Sequence, residues 1–284
     1  MPNKQSDQFI NYNGDLLPAA TPVFTTTNRS FRYGDGFFET LRIFNGKIPF
    51  IKDHIERLNL SLQLLRMEPV GTYSAVFFEK EILKLAERND IFNGRARLTI
   101  FRKGKGYYTP EEDHAEFIIE TEPLDTDRFI LNDKGLTIGI CNTYRKDFNI
   151  LSALKSNNAL VYVLAGKLKK ERGWDDALIL NNAGRVVEAT ASNVIVYKNN
   201  ILYTPAFTEG CVAGVMKEII INIANKMNID FLPAELELAF VREADEIFLT
   251  NSIFGLQWVG KWGEDYYKND LAKKLVTELN ELIK

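Results

Sequence analysis

Two periodicities share this chain. Phe9 to Tyr12 alternate and then meet Asn13-Gly14, a pair that favours a tight hairpin turn. Phe37 to Phe44 and Lys47 to Ile51 read as strand-like runs split by Asn45-Gly46, a second hairpin signal. Thr21 to Phe31 is polar and reads as loop. A helical spacing then takes over at Ile55, Leu58, Leu62 and Leu65, with Asp53 and Glu56 forming a capping-box pattern at its start. Tyr73 to Arg88 reads as a second amphipathic helix. Arg95 to Arg102 alternates as a strand, placing Arg95 and Arg97 on the face opposite the aliphatics between them. Phe117 to Glu120 is a further strand.

The polar, proline-containing stretch TEPLDTDRF marks a boundary. The expected organisation is a small N-terminal domain over 1–121, a linker over 122–134 and a larger domain over 135–284. In the larger part, Gly135 to Asn142 reads as a strand, and Ser156 or Asn157 caps a helix carrying Leu160, Val161, Leu164, Ala165 and Leu168. Short strands follow at Ala177–Leu180, Val186–Glu188, Val194–Tyr197 and Ile201–Tyr203, separated by Asn182-Ala183-Gly184 and Asn199-Asn200. Val215 to Met227 is helical, Glu246–Thr250 and Leu256–Val259 are strands, and Asp270 to Ile283 closes the chain as a helix. Short strands with tight turns predict a barrel-like, strongly curved sheet, so the class is mixed α/β (α+β) in two domains.

Composition narrows the function. With 284 residues, 45% hydrophobic and 26% charged, the chain has an ordinary globular balance. A formal net charge of -3 does not suggest a nucleic-acid partner. No apolar run approaches a membrane span, and the polar start MPNKQSDQFINYNG lacks a signal-peptide core. Two cysteines, Cys141 and Cys211, fit a reducing compartment better than a disulfide framework, so a cytoplasmic protein is expected. The two histidines, His54 and His114, show no metal-ligand spacing with these cysteines, and no metal is expected. Gly34-Asp35-Gly36 lacks the third glycine and the setting of a dinucleotide fingerprint.

Candidate chemistry gathers between Leu151 and Lys217. Lys155 can condense with an aldehyde if its amine is partly neutral. Glu188, in VVEATASN, is flanked by small residues that let a planar ring approach; a carboxylate there would keep a pyridine nitrogen protonated. The loop GCVAGVMK opens a helix whose free N–H groups suit an anion. Arg57, in HIERL, could grip a phosphate through two nitrogens. Taken singly each has a plainer reading: a solvated surface lysine, a strand-edge glutamate, a common helix start, a surface arginine.

In this order, however, YGDGFFETLR, HIERL, LK with an asparagine soon after, DDAL, VVEATASN, YTPAF and GCVAGVMK resemble the class IV aminotransferases, the fold-type IV pyridoxal-phosphate enzymes. The resemblance implies a homodimer acting on a small amino substrate, with pyridoxal 5'-phosphate held at a cleft between a small and a large domain. It implies that Lys155 is the Schiff-base lysine and proton shuttle, Arg57 the phosphate arginine and Glu188 the partner of the pyridine nitrogen. Val215 and Met216 would hold the phosphate by their N–H groups, Ser252 by its hydroxyl, and Val212 would pack on the ring. Phe31 and the Lys103–Thr109 loop, with Lys105 and Tyr107, would line the substrate pocket, and Asn251 would hold a substrate polar group.

The branches of the family divide the remaining motifs. Branched-chain aminotransferases place a tyrosine five residues after the lysine, where this chain has Leu160, and carry S-G-T-A where it has Thr250-Asn251-Ser252-Ile253. D-amino-acid aminotransferases use arginine–x–histidine where it has Lys105-Gly106-Tyr107. The 4-amino-4-deoxychorismate lyases carry an asparagine three residues after the lysine, as Asn158 is here, a T/C-N-S/A run like Thr250-Asn251-Ser252, and an R-G-Y loop like Lys105-Gly106-Tyr107. Three features pull the other way. Lys105 replaces the arginine and gives up its bidentate grip, while Glu39-Thr40 and Arg97, near a substrate-contact arginine, resemble the branched-chain enzymes. The expectation is a lyase releasing pyruvate and 4-aminobenzoate; the alternatives are a branched-chain-like aminotransferase and a non-catalytic dimer.

Overall fold

A computed structural model describes residues 8–284, so the polar start of the chain up to Asp7 lies outside the described residues. The chain divides into two compact units, one running up to Asp127 and taking in Lys155–Asn158, the other made of Arg128–Leu154 and Ala159–Lys284.

The first unit contains β1 (Phe9–Tyr12), β2 (Asp15–Pro18), α1 (Arg29–Tyr33), β3 (Gly36–Ile43), α2 (Ile51–Leu64), β4 (Glu68–Pro69), α3 (Ala75–Arg88), β5 (Gly94–Arg102) and β6 (His114–Pro123). Its sheet runs β2-β1-β6-β5-β3, with β4 also on β6. Asn13 (φ 52) and Gly14 (φ 99) make the β1–β2 turn in the conformation their pairing predicts. The buried alternate residues of β3 and β5, Leu41, Leu98 and Ile100, meet Leu58 of α2 and Phe78, Ile82 and Leu85 of α3 in one core.

Three expectations give way here. Lys47–Ile51 is not a strand: only Phe44 and Lys47 bridge across the turn. Pro49 has no N–H to extend the ladder, and Phe50 (φ 60) turns the chain into α2. Asp53 therefore lies inside the first turn of α2 instead of capping it, where its charge still suits the helix dipole. The stretch expected as loop ends in α1, capped by the Asn28 side chain accepting from the Phe31 N–H at 3.0 Å.

The second unit contains β7 (Leu136–Lys146), α4 (Leu160–Arg172), β8 (Asp176–Asn181), β9 (Val186–Ala189), β10 (Asn193–Lys198), β11 (Ile201–Pro205), α5 (Val215–Lys226), β12 (Asp230–Ala234), α6 (Leu238–Arg242), β13 (Glu246–Asn251), β14 (Gly255–Trp262), β15 (Asp265–Tyr266) and α7 (Asp270–Glu281). Its sheet runs β12-β11-β10-β13-β14-β7-β8-β9, with β15 on β14. Parallel pairs β7–β8 and β11–β12 are joined through α4 and α5, the crossover that parallel pairing requires. The Ala189 N–H reaches Ser192 O at 2.8 Å, which brings β9, the last strand of the path, round to the start of β10. The expected curved sheet is thus a curled half-barrel in a mixed α/β fold. Every residue of β8 is buried. Leu178 and Leu180 enter the sheet's interior core with Val194 and Leu249; Ala177 and Ile179 pack with Ala165 of α4 on the other face. Neither Ser156 nor Asn157 caps α4, whose N-cap is Ala159 without a side-chain hydrogen bond. Both residues are taken up by β3 instead.

Candidate active site

In the first unit Lys155 is placed by backbone pairing. Its carbonyl accepts from the Phe38 N–H at 3.0 Å, and the Asn157 N–H donates to Gly36 O at 3.0 Å. Ser156 lies opposite Phe37 in an isolated bridge. Two glycines leave room beside this segment. A Cβ on Gly36 would stand 2.5 Å from Ile100 O and 2.7 Å from Asn157 Nδ2; one on Gly34 would stand 2.4 Å from Asn158 Oδ1. Of the pair rejected as a nucleotide fingerprint, Gly36 lets β3 pass close to the β5 backbone, and the Asn157 and Asn158 side chains lie over the two glycines. Lys155 Nζ lies 4.5 Å from the centroid of the Phe38 ring, and the Arg97 guanidinium lies 3.6 Å from the same centroid. Burial lowers the Arg97 proton affinity, and Arg95 acts in the same direction against Glu120 and Glu122. Arg97 stays charged, so an anion finds a desolvated cation on the ring that Lys155 also meets.

Arg57 projects from α2 onto a buried carboxylate. Its Nε and Nη2 donate to Glu39 Oε1 (2.8 Å) and Oε2 (2.5 Å), and His54 Nδ1 lies 2.7 Å from Oε2. Burial alone would raise the Glu39 carboxyl. Arg57, together with hydrogen bonds from His54 and Arg57, outweighs it and brings the pKa down to about 2. Phe31 and Tyr107 are each 79% exposed and Lys105 is exposed, so the three residues expected at the substrate present their side chains to solvent.

In the second unit Glu188 is 3% exposed and well supplied with donors. Oε1 accepts from Lys146 Nζ and from Tyr162 OH, both at 2.6 Å; Oε2 accepts from the Val212 N–H at 3.1 Å. Burial first, and the Glu188 charge next, push the Tyr162 phenol well above its ordinary range, so it remains a donor. The Val212 carbonyl accepts from Asn193 Nδ2 at 2.8 Å. A Cβ on Gly214 would fall 1.7 Å from Asn193 Oδ1, so a larger residue there would have to displace the Asn193 amide from the Val212 carbonyl. No side chain caps α5, and the N–H groups of Val215 and Met216 have no intrahelical partner. The buried Thr250 hydroxyl, across from Asn193 in the β10–β13 ladder, is also without a hydrogen bond.

Asn251 is committed elsewhere. Its Oδ1 accepts from the Ile253 and Phe254 N–H groups (2.9 and 3.1 Å), and its Nδ2 donates to Ala191 O at 3.1 Å, so the side chain closes the β13–β14 turn. Ser252 is half-buried in that turn. Asn158 donates to Gly34 O at 3.4 Å. The residues that sequence reasoning passed over are Phe38, Glu39, Lys146, Tyr162 and Asn193. Phe38 and Glu39 lay inside a quoted motif without a role. Lys146 is 42 residues from Glu188, beyond any local spacing.

The profile of the family Amino-transferase class IV matches residues 36–262. The chain is 31% identical over 254 residues to the aminodeoxychorismate lyase of Bacillus subtilis (strain 168), covering 86% of this chain and 83% of that protein. It is 27% identical over 244 residues to a D-alanine aminotransferase of Listeria monocytogenes serotype 1/2a (strain 10403S), covering 84% and 82%. The branched-chain aminotransferase of Thermoproteus uzoniensis, solved with norvaline, superposes with a TM-score of 0.88 at 21% identity over 97% of this chain and 94% of that one, which establishes the fold. Enzymes of this family use pyridoxal 5'-phosphate. The second unit fits that group. The open N–H groups of α5 and the unpartnered Thr250 hydroxyl suit a phosphate, and Glu188 Oε2, which carries a single hydrogen bond, can take a ring N–H.

Two outcomes follow. Gly214→Ala drives a methyl into Asn193, and the affinity for pyridoxal 5'-phosphate, measured by equilibrium dialysis, is expected to fall about tenfold or more. The Glu39 carboxyl, near 4.5 when unfolded and about 2 when folded, stabilises the chain above pH 4.5 and gives this up as pH falls toward 2. That window corresponds to about 3 kcal/mol. Urea midpoints of Glu39→Gln should lack this part of the acid dependence; an acid limb like the parent's would refute the assignment.

Proposed function

The chain belongs to the class IV amino-transferase family, and on that footing we propose that it is a pyridoxal-phosphate-dependent lyase acting on 4-amino-4-deoxychorismate and releasing pyruvate and 4-aminobenzoate. The observation that carries this reading is the Phe38 ring with Lys155 Nζ on it and the Arg97 guanidinium beside it. An amine with a carboxylate and a ring of its own suits that surface: Arg97 would hold the carboxylate, and the Phe38 ring would meet the substrate ring. The Bacillus subtilis relative named as an aminodeoxychorismate lyase, the Thr250-Asn251-Ser252 run and Asn158 support the lyase branch.

Bound pyridoxal phosphate supplies the electron sink. Glu188 would hold its ring nitrogen, Val212 would pack on the ring, and Val215, Met216, Ser252 and Arg57 would bind its phosphate. Lys155 Nζ would first hold the cofactor. With that place taken by the substrate amine, Lys155 would take the proton from the amine-bearing carbon and give one to the enolpyruvyl methylene as the ring C–O bond breaks, so that pyruvate leaves, and it would regain its place as the aromatised amine departs as 4-aminobenzoate. A second reading, a branched-chain-like aminotransferase, is favoured by the same Arg97 and differs only in where Lys155 delivers its proton.

The protein is proposed to work as a homodimer. The second unit exposes Phe148, Ile150 and Leu151, and Leu160 with Val163 on one face of α4. The buried, unpaired thiols of Cys141 and Cys211 fit a reducing, cytoplasmic setting. Among the described residues no helix is long and apolar enough to cross a membrane.

The deciding experiment mixes cofactor-loaded protein with L-leucine, L-isoleucine, L-glutamate or D-alanine and follows the visible spectrum. No donor is expected to convert the cofactor to its amine form, while aminodeoxychorismate should yield 4-aminobenzoate. Rapid conversion by an L-donor would replace the lyase with the transaminase, and conversion by D-alanine alone with the D-amino-acid enzyme. Lys155→Ala is expected to abolish turnover, and full activity in that variant would sink both enzyme readings. A sedimentation mass of two chains is expected; a mass of one chain would remove the dimer.

A further inference from the structure

The Lys105–Tyr107 segment is tied down in an unusual way. It lies between β5 and β6 with its side chains in solvent, yet its backbone is held from beneath by two buried arginines paired to the half-buried Asp35 and the exposed Asp113. Arg29, at the first position of α1, is 4% exposed. Its Nη1 donates to Tyr107 O at 2.6 Å and to Lys105 O at 3.3 Å, and its Nε to Asp35 Oδ2 at 2.7 Å. The same Asp35 oxygen accepts from Arg102 Nε at 3.1 Å. Arg102, 7% exposed, donates onward to Asp113 Oδ1 and to the carbonyls of Arg66 and Leu65. Arg102 and Asp113 flank the loop, so its two ends and its middle are fixed by one network of two guanidinium and two carboxylate groups.

The backbone is shaped to accept this strut. Gly104 (φ 90) and Gly106 (φ 97) both take the left-handed region. A Cβ on Gly106 would stand 2.5 Å from Thr109 O. Gly106 bridges to Pro110, and the Arg29 guanidinium also covers the Tyr33 ring, which contacts that of Tyr108. A solvent-facing loop made only to join two strands needs none of this, because two arginines must be desolvated to build it. A loop that meets a ligand gains from it, because ordering it beforehand spares that cost on binding.

We propose that Arg29 is the positioning residue that fixes the Lys105–Tyr107 segment in its binding shape, and thereby sets how tightly the enzyme takes an anionic, ring-bearing amine. Arg29 takes no part in the chemistry at Lys155. The inference rests on the proposed function for the identity of the ligand, and on the geometry alone for the strut. The Lys105 ammonium supplies the charge, the Tyr107 and Tyr108 rings supply the apolar surface, and Arg29 holds both at a constant spacing.

The test compares Arg29→Gln and Arg29→Lys with the parent, as cofactor-loaded full chains. In Arg29→Gln, amide hydrogen exchange over residues 103–113 should accelerate about tenfold or more. KM for aminodeoxychorismate should rise about tenfold or more, with kcat and cofactor affinity within about twofold. Arg29→Lys keeps the charge beside Asp35 but lacks a second arm for the Tyr107 carbonyl, and should match Arg29→Gln in both readouts. It also carries the test if Arg29→Gln does not fold. Recovery of parental exchange and KM by lysine would overturn the strut, since charge alone would then suffice. Unchanged exchange overturns it whatever reaction the enzyme runs. Faster exchange with unchanged KM overturns the link to substrate. Should the parent release no 4-aminobenzoate, the functional reading fails separately; KM is then taken with the amino acid that converts the cofactor, and the exchange result stands on its own.

Discussion

Two backbone hydrogen bonds, from the Phe38 N–H to Lys155 O and from the Asn157 N–H to Gly36 O, decide where Lys155 stands. They detach Lys155–Asn158 from the unit that surrounds them in sequence and join them to β3. The rest of the first unit is built around this approach. Gly34 and Gly36 give the space, Phe38 gives the ring on which Lys155 and Arg97 meet, and Glu39, one residue on and pointing to the opposite face, fixes Arg57. Asp35, between the two glycines, holds both Arg29 and Arg102. A strand end of six residues thus carries the lysine, the arginine of α2 and the outer loop at once.

The second unit solves a different problem, that of holding a charge where there is little water. Glu188 and Glu209 are each 3% exposed. Glu188 is met by an ammonium, a phenol and a backbone N–H. Glu209 receives Arg185 through two nitrogens and Asn181 Nδ2, which fixes the turn leading to Gly210 and on to the start of α5. At Glu209 the hydrogen bonds from Arg185 hold the carboxyl below its ordinary range against the effect of burial. The helix end at Gly214 is the complementary case: no side chain caps it, and its first N–H groups have no intrahelical partner.

Much of this could be read in the chain itself. The alternation of Arg95 to Arg102 and the helical spacing from Ile55 to Leu62 gave the right elements and inward faces, because burial imposes those periods directly. The ordered motifs pointed to the family and its cofactor. The edges were harder. Asp53 looked like a cap and Lys47–Ile51 like a strand, but a proline and a left-handed Phe50 settled that region. Ser156 and Asn157 looked like a helix start and became strand partners, since the competing bonds lie more than a hundred residues away in sequence.

What the sequence determined alone was therefore the longer helices and strands and their inward faces, which depend on residue type and local period, and the motifs that mark the family. Only the tertiary structure decided which partners those side chains have. It gave Glu188 to Lys146 and Tyr162, Arg57 to Glu39 and Asn251 to its own turn, and it put Arg97 beside the ring that Lys155 meets. Hydrogen bonds and ion pairs act over a few ångströms of space, and sheet pairing brings together residues whose separation along the chain carries no signal of it.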